Sequence, residues 1–490
     1  MNIKTPESLG IRSEDILAYI KLLEEKNLST HDILIMRGDD LAFEAYWEPF
    51  HKDFQHRMYS VSKSFVSLAT GFALQDGLLE LDDPMIKHFP EELKDQKDEN
   101  LRNQTVRNML MMSTSKPHRS YFTDRPDDRV AYYFANPSEY TRKPGLTFLY
   151  DSPGSFVIGA LVERVTGKPF MEYLREKMFD KIGVTKEARC LKCPGGHSWG
   201  DSAVICTARD LALTARFVMN GGKWNGEQIL NEDYIRDATS NLIMTGTKND
   251  GLCNAQGSGY LFWRTLDNSY MFNGMGGQFG ICVPDKDLIF VINADNQGKD
   301  YSRDFVIDNF FEMISRKVSD KPLPENEKAH KELLDYAKNL KLATARGETH
   351  NPIEEKISGK VYKAEKNVMG IKWFRFDFNG DEGVFHYENE QGVKEIPFGL
   401  CKNVFAQFPQ DGYSDEIGAK PGNRRYKCAS SAAWLPNDTL DLKVQIIDTY
   451  FGNFDAYVSF IGNSAGIKMT KAAEDFLREY DGLCSGTIEE

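Results

Sequence analysis

The chain has 490 residues, of which 41% are hydrophobic and 12% aromatic; it is too long for one compact core and too apolar for wholesale disorder. Asp and Glu number 73 against 60 Lys and Arg, a formal charge of −13, so broad nucleic-acid binding is not expected. Residues 1–7 lack the pattern of a signal peptide, and no stretch is apolar enough to span a membrane, so a cytoplasmic protein without membrane partners is expected.

The N-terminal region predicts a helix followed by a hairpin. Residues 13–26 carry an apolar stripe at helical spacing, with Ser13 placed to cap the helix. Residues 33–36 and 41–47 are apolar runs on either side of a turn at 38–40, which is the pattern of two antiparallel strands.

A mostly helical region follows. The strongly apolar residues 62–79 predict one helix, and further helices are predicted over 154–164, 170–179 and 208–220, the last capped by Thr207. Strand patterns return over 259–263, 280–283 and 288–292. An amphipathic helix over 303–316 closes this part of the chain.

These elements predict an α/β (α+β) domain over residues 1–318. We expect the hairpin and the later strands to form one antiparallel sheet flanked by helices, with the central helices as a second lobe. Residues 319–352 read as a linker with a charged helix over 325–340. Short alternating strands then predict a small all-β sandwich or barrel domain over 353–490.

The eight cysteines are too sparse for a disulfide scaffold. Cys190 and Cys193, with His197 nearby, have the spacing of half a zinc site, but no second close pair completes it. A structural or surface loop is the preferred interpretation, and no metal or other cofactor is expected.

The most informative motif is Ser60-Val61-Ser62-Lys63 at the start of the apolar helix. A spacing of three residues puts Ser60 and Lys63 on one helical face. A serine hydroxyl is a poor nucleophile until a base takes its proton. A lysine can take it only when uncharged, which burial favours. The motif alone is weak, because about two matches are expected by chance in a chain of this length.

Two rival motifs are weaker. Ser113-Thr114-Ser115-Lys116 repeats the spacing, but Pro117 disfavours helical geometry at Lys116 and predicts a loop. Residues 462–466 match Gly-x-Ser-x-Gly around Ser464. In α/β-hydrolases the catalytic histidine follows that serine, whereas the last histidine here is His386, so we interpret this motif as a turn.

Two further motifs follow in order: Tyr150-Asp151-Ser152 before a helix, and residues 272–280, Phe-Asn-Gly-Met-Gly-Gly-Gln-Phe-Gly, between two strands. Together with Ser60 and Lys63 they resemble the penicillin-binding-protein-like serine hydrolases, in particular the class C β-lactamases and their esterase and peptidase relatives. That family carries Ser-x-x-Lys, Tyr-x-Asn and then Lys-Thr-Gly or His-x-Gly. The resemblance covers about residues 10–318.

The resemblance implies roles for these positions. Ser60 would be acylated, and Lys63 and Tyr150 would handle its proton. The backbone N–H groups of Ser60 and Met275 would form the oxyanion hole. Gly274 belongs to the same strand, where small residues let a substrate approach the backbone.

Three positions near these motifs bear on specificity. Ser152 stands where the family has Asn, which puts recognition of a substrate amide in doubt. Phe272 occupies the Lys or His position and cannot pair with a substrate carboxylate, so β-lactam and D-Ala carboxypeptidase substrates are disfavoured. Asn273 follows it on the same strand and is a candidate substrate contact.

The leading hypothesis is a serine hydrolase that cleaves a small ester, amide or peptide through an acyl-Ser60 intermediate. A D-stereospecific peptidase or amidase with the same machinery is an alternative, as is a non-turnover binding or sensing protein. A homodimer, and a role for the C-terminal domain in holding it or in regulating access, are left open. The weaker candidates for pocket residues are Tyr260, Trp263, His118, His197 and Trp199.

Overall fold

The computed structural model describes residues 1–115, 126–135, 141–246, 251–410, 425–474 and 476–488. Within those ranges, no helix combines the length and the apolar character that crossing a membrane would need. The chain forms two compact units: the first includes Met1–Ala294 and Tyr301–Lys341, and the second includes Asp295–Asp300 and most of the chain from Leu342 onward. All the candidate site residues therefore belong to the first unit.

The helices of the described ranges are mostly short. In chain order they are α1 (Ser13–Glu25), α2 (Ser62–Gln75), α3 (Met85–His88), α4 (Pro90–Leu93), α5 (Glu99–Asn103), α6 (Val106–Leu110), α7 (Arg129–Ala135), α8 (Ser152–Thr166), α9 (Phe170–Leu174), α10 (Asp180–Ile182), α11 (Ala208–Met219), α12 (Glu232–Ala238), α13 (Ser302–Met313), α14 (Glu327–Ala337) and α15 (Glu354–Ile357). A π-helical segment, Arg175–Phe179, joins α9 to α10.

The strands that form the main sheet of the first unit lie at both ends of its sequence, and other strands lie between them. They are β1 (Asn2–Ile3), β2 (Thr30–Arg37), β3 (Asp40–Tyr46), β4 (His56–Arg57), β5 (Arg189–Cys190), β6 (Val204–Cys206), β7 (Lys223–Trp224), β8 (Glu227–Gln228), β9 (Trp263–Arg264), β10 (Tyr270–Gly274), β11 (Gln278–Val283) and β12 (Leu288–Ala294). The main sheet has the order β1-β3-β2-β12-β11-β10-β9.

The N-terminal hairpin joins the later strands through β2 and β12. These two strands are antiparallel, with Ile33 opposite Ile292 and Ile35 opposite Phe290. On one face of the sheet, Ile35 and Phe290 pack with Phe310 of α13 in a buried apolar cluster. On the other face, Gly280 of β11 lies against Leu211 of α11. The predicted antiparallel sheet flanked by helices is confirmed.

The start of α1 differs from its sequence interpretation. The helix begins at Ser13 itself, and Arg12 stands at the N-cap position without a capping side chain. The backbone N–H of Ser13 donates to the Glu7 carboxylate at 2.9 Å, and Ser13 Oγ does so at 3.0 Å. The predicted cap at Ser13 is wrong, because the buried carboxylate of Glu7 serves the helix N-terminus instead.

Two other elements are shorter than predicted. Helix α2 ends at Gln75 rather than at residue 79, because Gly77 follows with φ 70°, a left-handed conformation that stops a helix. Of the strand predicted over 259–263, only Trp263 belongs to β9. Leu261 has φ 60°, which breaks an extended strand at its centre.

The second unit is a closed, barrel-like sheet. Its strands are β13 (Tyr362–Ala364), β14 (Trp373–Asn379), β15 (Glu382–Asn389), β16 (Gly392–Leu400), β17 (Val404–Gln407), β18 (Lys427–Leu435), β19 (Thr439–Ile447), β20 (Phe451–Ile461), β21 (Ser464–Ala473) and β22 (Gly482–Ile488). They follow the order β16-β15-β14-β13-β22-β21-β20-β19-β18-β17, and β16 also pairs with β18, which closes the sheet. Aromatic pairs fill its core, for example Phe376 stacked on Phe385 at 4.8 Å and Phe454 on Tyr480 at 4.7 Å.

A buried histidine pair lies beside the segment that leads to Ser60. His31 Nδ1 is 2.8 Å from His56 Nε2, and His56 Nδ1 is 2.8 Å from the carbonyl oxygen of Arg57. Since a carbonyl can only accept, His56 Nδ1 carries the proton and its Nε2 accepts from His31. Burial lowers the pKa of both rings, that of His56 to about 3.

We expect acid to weaken the first unit through this pair. Histidines of the unfolded chain become protonated at about pH 6.5, whereas the folded pair stays neutral far below this pH. The contribution of the neutral pair to the free energy of unfolding is therefore complete above about pH 6.5. It is lost as the pH falls, by up to about 1.4 kcal/mol per pH unit for each ring. Urea unfolding of the His56→Gln variant should show a smaller loss of stability with acid than wild type.

The control for this experiment is His51→Gln, at an exposed position. Desolvation raises the pKa of buried Asp32 to about 8. The contribution of Asp32 to the free energy of unfolding is therefore lost as the pH rises, whereas that of the histidine pair is lost as the pH falls. Comparing variant with wild type at each pH removes that contribution. Equal acid dependence in His56→Gln and wild type would contradict the assignment.

Candidate active site

Ser60 lies in a tight turn at the N-terminus of a buried helix. It belongs to the 3-10 turn Tyr59–Val61, directly before α2. Strand β4 leads into this turn and pairs with β6, which fixes the incoming backbone. Tyr59, just before the serine, has φ 46°, a costly conformation for a residue with a side chain.

Lys63 is buried and contacts the serine. Its Nζ donates to Ser60 Oγ at 2.9 Å and to the backbone carbonyl of Asp201 at 2.6 Å. The Lys63 residue is only 3% exposed. The predicted proximity of Ser60 and Lys63 on one helical face is thus present, and the Asp201 carbonyl holds the amine in place.

Tyr150 reaches the same oxygen from the segment before α8. Its hydroxyl donates to Ser60 Oγ at 2.7 Å, and Lys63 Nζ lies 5.1 Å from the centre of its ring. The Tyr150 ring packs against Trp263, with centroids 5.9 Å apart. Ser60 Oγ is therefore within hydrogen-bond distance of an amine and a phenol, so its proton has two neighbouring groups to which it can pass.

Asp151 anchors the segment that carries Tyr150. It caps α8 by accepting from the N–H of Gly154 at 3.0 Å, and it accepts from Thr114 Oγ1 at 2.8 Å. Burial raises the pKa of Asp151 to about 6. Ser152, the predicted replacement for the family's asparagine, is the first residue of α8 and is half-buried.

The turn between β10 and β11 lies next to the serine turn. A methyl group at Gly274 would come within 2.6 Å of the carbonyl oxygen of Met58, so β10 packs directly on the backbone before Ser60. Met275 follows Gly274 and is 41% exposed. Gly276 and Gly277 complete the turn with φ 81° and 110°, values that favour glycine.

The other two predicted contacts on β10 differ in their surroundings. Phe272 is fully buried and packs against Phe262 and Phe65, with ring centroids 4.9 and 6.4 Å apart. Apolar packing therefore fills the position where the resembled family has a cation. Asn273 is half-buried and contacts Asn254.

Two more residues that carry positive φ flank the site. Met112, with φ 49°, accepts through its carbonyl from the N–H of Leu149 at 3.0 Å. Leu261, with φ 60°, accepts through its carbonyl from Ser64 Oγ at 2.8 Å. Strained backbone is concentrated at functional sites in proteins, and here it supports the segments that carry the serine and the tyrosine.

Of the weaker pocket candidates, Trp263 contacts a predicted catalytic residue, through the ring of Tyr150. Trp199 is buried, and the guanidinium groups of Arg57 and Arg129 lie 4.6 and 5.2 Å from the centre of its ring. The remaining candidates are placed elsewhere or not described: the Tyr260 hydroxyl accepts from Arg107 at 2.7 Å, His197 pairs with Glu163 at 3.0 Å, and His118 lies outside the described residues.

The rival motifs have other surroundings. Ser113 is buried and donates to the carbonyl of Asn108 at 3.2 Å, while Lys116 lies outside the described residues. Ser464 begins β21 directly after a hairpin turn, and its exposed Oγ is 3.3 Å from Thr487 Oγ1. In the described part of the chain, no group of three or more His, Cys, Asp or Glu side chains could hold a metal ion.

Sequence reasoning missed two contributors to this site. The Asp201 carbonyl that holds Lys63 is a backbone group, which has no signature in the sequence. Gln278 is buried beside the turn that carries Met275. It lies within the third motif, and an amide directly after two glycines is the signal that could have identified it.

Comparisons with known proteins identify a relative in sequence and two structures of similar fold. The 6-aminohexanoate-dimer hydrolase of Paenarthrobacter ureafaciens is 24% identical over 295 residues, which are 56% of this chain and 74% of that protein. Two solved structures share the fold at a TM-score of 0.52. A candidate 6-aminohexanoate-dimer hydrolase from Bacillus anthracis is 17% identical and covers 66% of this chain and 88% of its own. A candidate beta-lactamase from Bacteroides dorei DSM 17855 is 16% identical and covers 61% and 97%.

A family model described as Beta-lactamase matches residues 21–308, which is more than half of the chain. The match includes the serine turn, the segment of Tyr150 and the hairpin of Met275. The chain therefore belongs to the beta-lactamase family of hydrolases.

Proposed function

We propose that this protein is a serine hydrolase that cleaves an ester or amide through an acyl-Ser60 intermediate. The observation that carries the proposal is the convergence of Lys63 Nζ and Tyr150 Oη on Ser60 Oγ, at 2.9 and 2.7 Å. A base and a nucleophile within hydrogen-bond distance, with the base held by a third group, are the arrangement that nucleophilic catalysis needs.

In the proposed reaction, Ser60 Oγ attacks the carbonyl carbon while its proton passes to Lys63 or Tyr150. The carbonyl oxygen becomes an oxyanion that accepts from the N–H groups of Ser60 and Met275. Collapse breaks the bond to the leaving group, which takes the proton and departs as an alcohol or amine. Water then attacks the carbonyl carbon of the acyl-Ser60 ester and gives its proton to the same groups. Collapse breaks the bond between that carbon and Ser60 Oγ, which takes the proton back, and the acid is released.

We propose that the substrate is neutral and apolar near the scissile bond. Phe272 fills the position where a cation would bind a substrate carboxylate, and it is fully buried. Exposed apolar side chains lie next to catalytic positions: Leu149 precedes Tyr150, and Met275 is 41% exposed. We propose that these side chains line the site, where they would stabilise apolar groups and leave a substrate carboxylate without a partner.

The experiment is covalent labelling followed by a substrate panel. A fluorophosphonate probe should label the protein once, and peptide mapping should find the adduct on Ser60. In the panel, p-nitrophenyl butyrate should exceed the p-nitrophenyl monoester of succinic acid by about 10-fold or more in kcat/KM, since an unpaired charge costs at least about 1.4 kcal/mol. Labelling at another residue would refute the acyl-Ser60 assignment. A preference for the succinate ester would refute the neutral substrate.

Amide hydrolysis is the second candidate, and one relative favours it. The 24% identical protein of Paenarthrobacter ureafaciens is named a 6-aminohexanoate-dimer hydrolase, and two amino acids join through an amide. The panel should therefore include the anilide of butyric acid and the linear 6-aminohexanoate dimer. Turnover of an amide within about 10-fold of the matched ester would favour an amidase, whereas esters alone would favour an esterase.

A further inference from the structure

Gln278 bridges two parts of the hairpin beside the serine. It is the first residue of β11 and pairs with Gly274 across the hairpin. Its side chain is fully buried. The side-chain Nε2 donates to the carbonyl oxygen of Met275, and Oε1 accepts from the backbone N–H of Ala294 on β12 at 2.9 Å.

The turn needs such a bridge because its own backbone restrains it weakly. Gly276 and Gly277 both have positive φ, and glycine samples many backbone conformations at little cost. The hydrogen bond across the turn, from the N–H of Gly277 to the carbonyl of Gly274, is long at 3.4 Å. The hydrogen bond from Gln278 fixes the direction of the Met275 carbonyl and thereby limits rotation about the backbone bonds of Met275.

The other side of Met275 is fixed by packing. Gly274 has room for no side chain, since an added methyl would lie 2.6 Å from the Met58 carbonyl oxygen and 2.9 Å from Gln278 Cβ. The peptide that carries the Met275 N–H is therefore held on one side by the serine turn. The side chain of Gln278 holds the next peptide.

We infer that Gln278 is a positioning residue that holds the Met275 N–H in the direction needed by the oxyanion hole. This inference rests on the proposed function, because it gives Met275 the donor role there. Gln278 touches neither the substrate nor the reacting atoms. Its effect passes through the carbonyl of Met275, and preorganised donors of this kind make one of the largest contributions to lowering the barrier of acyl transfer.

An amide suits this position because the two ends of the bridge need opposite groups. The Met275 carbonyl needs a donor and the Ala294 N–H needs an acceptor. In the Gln278→Glu variant, an ionised carboxylate would place an acceptor against the Met275 carbonyl. The same side chain would restore both bonds when protonated, since its hydroxyl donates and its carbonyl accepts. The Gln278→Glu variant should therefore recover towards wild type as the pH falls.

The experiment compares Gln278→Met and Gln278→Glu with wild type on p-nitrophenyl butyrate. We expect Gln278→Met to lower kcat by about 10-fold to 100-fold and to change KM by less than about 3-fold. This fall in kcat is no larger than the fall expected when an oxyanion donor itself is removed. The ratio of Gln278→Glu to wild-type kcat should rise by about 10-fold between about pH 8 and about pH 6. A general loss of structure would not produce that dependence on pH.

The matched control is Cys282→Ala on the same strand. Cys282 is fully buried, and its Sγ is 3.9 Å from the carbonyl of Ala215, away from the turn along β11. It should lower the melting temperature while leaving kcat within about 2-fold. The inference is overturned if Gln278→Met loses no more kcat than Cys282→Ala, or if the Gln278→Glu ratio is independent of pH.

Failure of the proposed function would look different. If wild-type turnover does not depend on Ser60, the donor role of Met275 fails and the inference fails with it. If turnover depends on Ser60 and Gln278→Met keeps its kcat, only the role of Gln278 is wrong.

Discussion

Replacing Ser60 with alanine is expected to lower turnover of p-nitrophenyl butyrate by about 10³-fold or more and to remove all fluorophosphonate labelling. The change deletes the oxygen that forms the acyl bond, so the remaining groups can only assist attack by water, which retains a small part of the catalysis. Stability should change by less than about 1 kcal/mol, since Ser60 is half-exposed and Lys63 keeps its bond to the Asp201 carbonyl. The measurements are steady-state kinetics, intact mass after labelling and thermal melting.

Two serines provide matched controls for this variant. Ser464→Ala changes the exposed serine of the Gly-x-Ser-x-Gly motif, and Ser113→Ala changes the serine of the second Ser-x-x-Lys copy. Neither contacts Ser60 in the described structure, so both should keep turnover within about 2-fold and retain a full label. If Ser60→Ala keeps its label while Ser464→Ala loses it, the nucleophile is in the second unit and the present assignment is wrong.

The fold could be predicted best where the determining interactions are local. The start of helix α11 is determined by neighbouring residues. The Thr207 side chain accepts from the N–H of Asp210, and the Asp210 carboxylate accepts from the N–H of Thr207. These contacts lie within four residues, so the sequence pattern contains them. The cap of α1 could not be predicted in this way, because the true partner of Ser13 is Glu7, a carboxylate outside the helix.

The segment 259–263 shows what local patterns leave out. Its run of apolar residues predicts a strand, yet the N–H of Leu261 donates to the carbonyl of Leu110, and the hydroxyl of Tyr260 accepts from Arg107. Both partners lie about 150 residues earlier, so the interactions that bend this segment are tertiary. Propensity alone cannot weigh such contacts against the strand.

The same distinction between local and tertiary interactions applies to the candidate site. The pairing of Ser60 with Lys63 follows from helical spacing alone. The placement of Tyr150 beside them came from the resemblance to a family, because 90 residues separate it from Ser60. The Asp201 carbonyl lies 138 residues from Lys63. Because any residue type has a backbone carbonyl, no sequence pattern identifies this partner of Lys63, and only the fold does.

The second large effect is expected for Tyr150→Phe. The variant keeps the aromatic ring against Trp263 and below the Lys63 amine, and it removes only the oxygen that lies 2.7 Å from Ser60 Oγ. A positioned proton-transfer group contributes about 10²-fold to 10⁴-fold, so kcat should fall by that factor while KM changes little. The Ser60 label should still form, at a lower rate, because the nucleophile and Lys63 remain.

Tyr260→Phe is the matched control. It removes one tyrosine oxygen from a buried ring whose hydroxyl accepts from Arg107 at 2.7 Å. It should cost about 1 kcal/mol of stability and leave kcat within about 2-fold. The comparison separates loss of a proton-transfer group from loss of a hydrogen bond. If Tyr150→Phe retains kcat within about 2-fold of wild type, then Lys63 alone handles the proton of Ser60, and the phenol serves only to hold the serine hydroxyl in place.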